Sequence, residues 1–462
     1  MKNNSPKILV IGLDGATWDL IMPLVKENKL RTFKSLIDNG TCANLESTMP
    51  PISIRAWPSM FTGKKQEKFG VYDFKILEFN SENNKIETKL ALSDKWKGNF
   101  IWDIISKENY KSFIINIPGT YTHYPINGHL IGLDFAPLNM EKSTKEVYKE
   151  LEKILETVSN FHEKYCHDAY FIRFGIPDNI SHLTLDDGEM EKCQILMDKT
   201  IKLLIDKINP TNLFIVSDHG IKKESEVFYI NIFLKDNGFL KILLKSKFKL
   251  IISNFIIKLI NKDRLVKYYN FFSSASRQKS KRNNGTQFNL DLMDINNTKA
   301  FSYSFFETNY APIYIIDKKY KKDIINKLKN SNNIKNIYTI TPNKKAFGLK
   351  PDIIIESNKL ISTSLFKKNE REKFISYTHD VKGIFLSSGP EIKNNQMIED
   401  VKIYDITPTI LHILDIPIPS DMDGRVLTEI FEEDSELAQK KPKYVEPYYY
   451  ESKYNKFKKS NM

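Results

Sequence analysis

The chain alternates short apolar runs with longer amphipathic ones. Lys7–Leu13 (KILVIGL) and Leu213–Ser217 (LFIVS) are almost wholly apolar and empty into Gly, Asp or Ser; Lys111–Ile117, Ala169–Phe174 and Gly383–Ser387 look similar. Short runs without polar alternation predict strands buried on both faces, as parallel sheets require. Apolar residues recur at helical spacing over about Trp18–Asn39, Thr144–Tyr165 and Cys193–Ile208. This succession predicts an α/β fold, a doubly wound and mostly parallel sheet with helices on both faces. Ligands of such sheets gather at the carboxyl ends of the strands. Asp14 stands just after the first run, Asp178 shortly after another, and Asp218 directly after a third.

Residues 239–272 mix Leu, Ile and Phe with Lys and predict an amphipathic helix or helix pair with a basic face. It fits a cap helix packed on the core, or contact with an anionic membrane over 239–282. No apolar run reaches the roughly 18 residues that span a bilayer. The Asn- and Lys-rich patches at 276–285 and 327–336 read as loops, and the Tyr- and Lys-rich end as a loosely held tail. The expected organisation is a first core part over 1–235, a basic and mainly helical insertion or cap over 236–295, a second core part over 296–435, and a tail over 436–462.

At 462 residues, with 41% hydrophobic and 27% charged positions, the chain can bury a large core. A net charge of +12 favours anionic partners such as phosphorylated small molecules, nucleotides or acidic headgroups. No zinc-knuckle, RNA-recognition or basic-zipper pattern accompanies it, so no specific nucleic-acid motif is read. Cys42, Cys166 and Cys193 are odd in number and lack paired spacing, and the N-terminus enters the first strand without an apolar signal region. Both features lead to the expectation of a cytoplasmic protein without a disulfide framework. The sequence does not specify an oligomeric state.

Five segments carry candidate chemistry. Ile11-Gly-Leu-Asp-Gly-Ala16 places the Asp14 carboxylate directly after a buried strand between glycines, as a metal ligand or a helix cap. In Pro51-Ile-Ser-Ile-Arg-Ala-Trp-Pro-Ser-Met-Phe-Thr-Gly63, Ser53 follows a Pro-Pro turn and precedes a predicted helix, where free N–H groups favour anions. Ile176-Pro-Asp-Asn-Ile-Ser-His182 spaces Asp178 and His182 four apart, on one face of a helical turn. Ser217-Asp-His-Gly220 brings Asp218 and His219 together at a strand end. Thr378-His-Asp-Val-Lys-Gly supplies His379 just before another strand. Six of these side chains are hard or borderline metal ligands, and the seventh is an alcohol suited to nucleophilic attack.

In this order, the five segments resemble the alkaline phosphatase superfamily, in its type I phosphodiesterase/nucleotide pyrophosphatase-like branch. The resemblance covers roughly 7–235 and 296–430 and includes Ile403–Arg425, where Asp421 and Asp423 read as turn and packing residues. It implies one metal on Asp178, His182 and His379, and a second on Asp14, Asp218 and His219 with Ser53. The ions are expected to be zinc, with manganese or iron as alternatives. The implied activity is a phosphohydrolase cleaving phosphodiesters or phosphomonoesters through a phosphoserine at Ser53. Nucleotide pyrophosphatases place an Asn near the Tyr72–Phe74 position, and none occurs here; Arg55 is read as an alternative phosphate contact or a surface residue. Phosphoryl or headgroup transfer to a lipid or glycan acceptor would differ only in what enters the second step. Sulfatases hold their nucleophile in a Cys/Ser-x-Pro-x-Arg frame, whereas Ser53 is followed by Ile-Arg-Ala-Trp. A non-catalytic scaffold using the basic segment would need none of the seven residues.

Overall fold

The computed structural model describes residues 5–132, 143–243, 288–340, 348–365 and 376–450. The chain divides into two compact units, one of residues 1–71, 91–223 and 379–462, the other of residues 72–90 and 224–378. These divisions do not follow the segment limits at 235, 295 and 435 drawn along the sequence. Apolar runs mark strands, but which sheet a strand joins is set by long-range pairing. Residues 244–287, most of the expected basic insertion and membrane-contact stretch, lie outside the described residues, as do 451–462 of the expected tail.

The first unit is built on a nine-stranded sheet. Ile8–Leu13 lies at its centre, with all six residues buried. It pairs in parallel with Ala169–Phe174 on one side and Asn212–Val216 on the other. Ser112–Ile115 and Gly128–Ile131 extend the first side in parallel. Lys382–Ser388 runs antiparallel between Asn212–Val216 and Thr41–Glu46, so the sheet is largely rather than wholly parallel. The direction of that strand was not readable from its apolar composition, which a buried strand has either way. Each fully buried Ile or Leu of the central strand contributes roughly 1.5–3 kcal/mol.

Side chains alternate across this sheet and meet helices on both faces. Phe171 packs edge-on against Phe61 of the Ser53–Thr62 helix and against Trp102 of the Ile101–Ser106 helix. On the opposite face its neighbour Tyr170 hydrogen-bonds His162 of the Thr144–Lys164 helix at 2.8 Å. That helix buries Val147, Leu151, Ile154 and Val158 and begins in a capping box, Ser143 with Glu146. The Asp187–Ile208 helix starts earlier than its apolar periodicity suggests because Asp186 caps it and its first turn is acidic. The expected Trp18–Asn39 helix is two, Trp18–Lys26 and Arg31–Asp38, separated where Asn28 takes a left-handed φ of 60°.

The second unit has its own five-stranded sheet, in which Ile353–Ser362 pairs with Val227–Tyr229, Thr308–Ile315 and Ile334–Thr339. Its core includes Phe301, Ile313, Ile324, Leu328 and Ile355. All three cysteines are free, Cys42 and Cys193 buried and Cys166 exposed. Among the described residues no helix is long and apolar enough to cross a membrane.

Candidate metal centre

The seven expected residues all belong to the first unit. Asp14 follows the central strand, and its loop is tied to the next by a backbone bond from Asp178 N–H to the Asp14 carbonyl at 2.9 Å. Gly15 makes this approach feasible: its φ is +74°, and a Cβ there would stand 2.9 Å from the Cβ of Asp178. Asp178 opens a single helical turn, Asp178–Ser181, which carries His182 round to the same side. Asp218 and His219 leave Asn212–Val216 directly, and Ser217 anchors them by donating from Oγ to the Ala16 carbonyl at 2.9 Å. Ser53 is the first residue of its helix.

Around Asp178, Oδ1 lies 3.4 Å from His182 Nε2 and 3.4 Å from His379 Nε2. Around His219, Nε2 lies 3.5 Å from Asp14 Oδ1, 3.3 Å from Asp218 Oδ2 and 3.3 Å from Ser53 Oγ. The ligand atoms form two compact groups, Asp178 with His219 and His379, and Asp14 with Asp218 and His219. His219 therefore stands in both, stacked on His379 with ring centroids 3.8 Å apart, where the resemblance had placed it in the second alone.

These separations are long for hydrogen bonds. They match the edge of a tetrahedron: four ligands about 2.0–2.1 Å from a zinc-sized ion stand about 3.3–3.4 Å from one another. Asp14 Oδ1, Asp178 Oδ1 and Asp218 Oδ2 are buried and accept no hydrogen bond. Leaving three carboxylate oxygens in that condition is costly unless a cation takes them. The imidazoles are set for the same task. His379 Nδ1–H donates to the Pro51 carbonyl at 2.7 Å and His219 Nδ1–H to the Gly220 carbonyl at 3.0 Å, which turns each Nε2 lone pair toward the carboxylates. The residues present fit divalent cations.

The electrostatics of the protein alone point the same way. Burial and the adjacent Asp14 and Asp178 carboxylates hold Asp218 well above the usual carboxylate range. Burial opposes ionisation of Asp178, but His182 and His379 outweigh it and hold its pKa well below normal. Burial, helped by His379, pushes His219 down to about 4, which keeps its imidazole neutral and able to ligate at ordinary pH. His182 is raised, because the Asp178 carboxylate overcomes the burial that would lower it.

Two contributors escaped the sequence reading. Trp57 Nε1 donates to Asp14 Oδ2 at 3.1 Å, and Arg173 Nε donates to the same oxygen at 2.9 Å. Trp57 lies four residues after Ser53, hence on the same helix face, and Arg173 is a single charge inside an apolar strand; both signals were present in the sequence. Gly12 accommodates the indole, since a Cβ there would meet the Trp57 ring at 2.5 Å. Arg55, expected as a phosphate contact or a surface residue, is buried with 1% of its side chain exposed, which excludes the surface reading, and pairs through Nη2 with Glu67 at 2.8 Å. Asp421 and Asp423 engage Lys64 at 2.6 Å and Lys68 at 3.0 Å, tying their loop to the end of the Ser53 helix.

A largely parallel sheet whose carboxyl ends gather carboxylates, imidazoles and the hydroxyl of a helix start is the arrangement of the alkaline phosphatase superfamily. Within it, the chain belongs to the type I phosphodiesterase/nucleotide pyrophosphatase family, whose model matches residues 8–340, and it is a hydrolase acting on phosphoric ester bonds. Solved structures of similar fold include murine ectonucleotide pyrophosphatase/phosphodiesterase 5, as an inactive variant in complex with AMP. It has a TM-score of 0.56 and 17% identity, over 92% of this chain and 100% of that one. The human form has a TM-score of 0.57 and 17% identity, over 92% and 98%. Phosphonoacetate hydrolase from Sinorhizobium meliloti 1021, in complex with phosphonoformate, has a TM-score of 0.57 and 11% identity, over 87% and 94%. No curated protein matches the chain in sequence.

Proposed function

We propose that this protein is a metal-dependent phosphohydrolase that opens phosphate esters with Ser53 as nucleophile, passing through a phosphoserine. Asp178, His182 and His379 would hold one divalent cation, and Asp14, Asp218 and His219 with Ser53 the second; carboxylate and imidazole ligands at tetrahedral spacing favour zinc. Bound there, the cations would stabilise the charge that develops on the phosphoryl oxygens and favour the ionised hydroxyl.

The observation that carries this reading is the set of three buried carboxylate oxygens that accept no hydrogen bond while facing imidazole nitrogens and, beside His219, the Ser53 hydroxyl. Ser53 Oγ forms the new bond to phosphorus as the ester oxygen departs with its alcohol or phosphate; water then cleaves the phosphoserine and restores the hydroxyl. No side chain caps the Ser53 helix, and although the Arg55 and Ala56 amides donate to the Ile52 carbonyl, those of Ser53 and Ile54 are left to meet phosphoryl oxygens. The AMP and phosphonoformate held by the two neighbours support a small phosphorylated compound as substrate.

Chelated protein reloaded with zinc or manganese should turn over bis-p-nitrophenyl phosphate or p-nitrophenyl phosphate, and the ratio of the two rates assigns diester or monoester preference. Full activity of the chelated protein, or a Ser53→Ala variant as fast as the parent, would remove the basis for this mechanism.

A further inference from the structure

Asp14 differs from the other carboxylates of the centre in how completely its second oxygen is occupied. Oδ2 accepts from Trp57 Nε1 at 3.1 Å, from Arg173 Nε at 2.9 Å and from Arg173 Nη2. Three donors on one oxygen leave the carboxylate little freedom to rotate, and Oδ1 alone remains toward His219. The donors are themselves fixed. Arg173 stands opposite Gly12 in the register of the central strands, and the Trp57 ring packs where a Gly12 side chain would be.

The pair is also deeply placed, with 12% of the Arg173 side chain exposed and none of Asp14. A guanidinium taken out of water is retained only against a partner that compensates its lost hydration. Here that partner belongs to a group of three converging buried carboxylates, Asp14, Asp178 and Asp218. Without cations, such a group repels itself strongly in a medium of low effective dielectric.

We infer that Arg173 is a positioning residue of the metal centre: its guanidinium fixes Asp14 as a ligand through Oδ1 only, and its charge holds the carboxylate cluster together when the cations leave. The inference rests on the metal-centre reading and assigns a residue outside the ligand set. It separates two properties of arginine. The planar fork orients Asp14, and the permanent charge stabilises the cation-free fold; lysine can supply the second but not the first.

The test uses full-length wild type, Arg173→Lys, Arg173→Met and Trp57→Phe, each chelated and then reloaded with zinc. Melting temperature is followed in both states, bound zinc by elemental analysis, and affinity by chelator competition. Arg173→Met should lower the melting temperature of the chelated protein by about 5 °C or more, and Arg173→Lys should lower it less. Arg173→Lys should weaken zinc binding about tenfold or more, and with it narrow the gap between chelated and loaded protein, and Trp57→Phe should weaken binding less. A chelated Arg173→Met protein that melts with the chelated wild type would overturn the charge role, and wild-type zinc affinity in Arg173→Lys would overturn the orienting role. If Arg173→Met folds in neither state, the chelated melting temperature and zinc affinity of Arg173→Lys decide. A wild-type protein that binds no divalent cation would refute the metal centre itself, a result distinct from two bound ions and indifferent variants.

Discussion

Six of the eight histidines fall into two clusters at opposite ends of the nine-stranded sheet. At one end, His219 and His379 commit Nδ1 to backbone carbonyls and turn Nε2 toward carboxylates, with His182 against Asp178 beside them. At the other end, His129 Nδ1 meets His167 Nε2 at 2.8 Å, His167 Nδ1 meets the Tyr170 hydroxyl at 3.3 Å, and His162 Nδ1 meets the same hydroxyl at 2.8 Å. Here imidazoles bond one another and a phenol. Burial lowers all three, and neighbouring histidines push His167 further, to about 4. A histidine's role therefore depends on what occupies its other nitrogen and on whether carboxylates converge on the free one. The first cluster is arranged for cations, the second for packing.

The largest effect expected from breaking this contrast is at Ser53. Ser53→Ala should reduce turnover on the order of 10⁴-fold or more while leaving bound metal unchanged, read by steady-state rates alongside elemental analysis. Asp218→Ala should lower metal content and turnover together, by more than the roughly 10–100-fold that outer-shell partners command. If it kept its metal, Asp218 would not be a ligand.

A paired substitution sharpens the comparison. His182→Ala should weaken metal binding, whereas His129→Ala should leave metal content and turnover within about twofold of the parent, as expected for a distant independent site. Equal losses in the two proteins would show that the clusters are not functionally distinct.

The smallest effect concerns acid stability. His167 remains neutral in the fold down to about 4, whereas its unfolded pKa is 6.5. Between those values the unfolded chain binds more protons, so the stabilising contribution is complete above about 6.5 and is lost as pH falls toward 4. Melting temperature measured across that window should fall less steeply in His167→Phe than in the parent, by a few degrees. A parallel pair of curves would show that His167 does not report the acid transition.

Much of the candidate centre could be read from the sequence because its residues sit at strand ends and helix starts. Asp14, Asp218 and His219 each adjoin an apolar run, and Asp178 and His182 share a helical turn. Trp57 and Arg173 were legible only as oddities, an indole four residues after Ser53 on its helix and a charge in a buried strand, because their partner Asp14 is 43 and 159 residues away. Arg55 shows another limit: its sequence position left a surface place open, yet its guanidinium is buried and pairs with Glu67, 12 residues on.

Local pattern determined what each segment would become and which side chains could bind metal, since burial periodicity and turn chemistry act over a few residues. Tertiary structure decided that Lys382–Ser388 runs antiparallel. It also decided that residues 72–90 join 224–378 in a separate unit, that His219 stands in both ligand groups, and that Arg173 holds Asp14. Each of these depends on pairing between segments far apart in the chain, where distances and hydrogen-bond geometry, rather than residue type, select the partner.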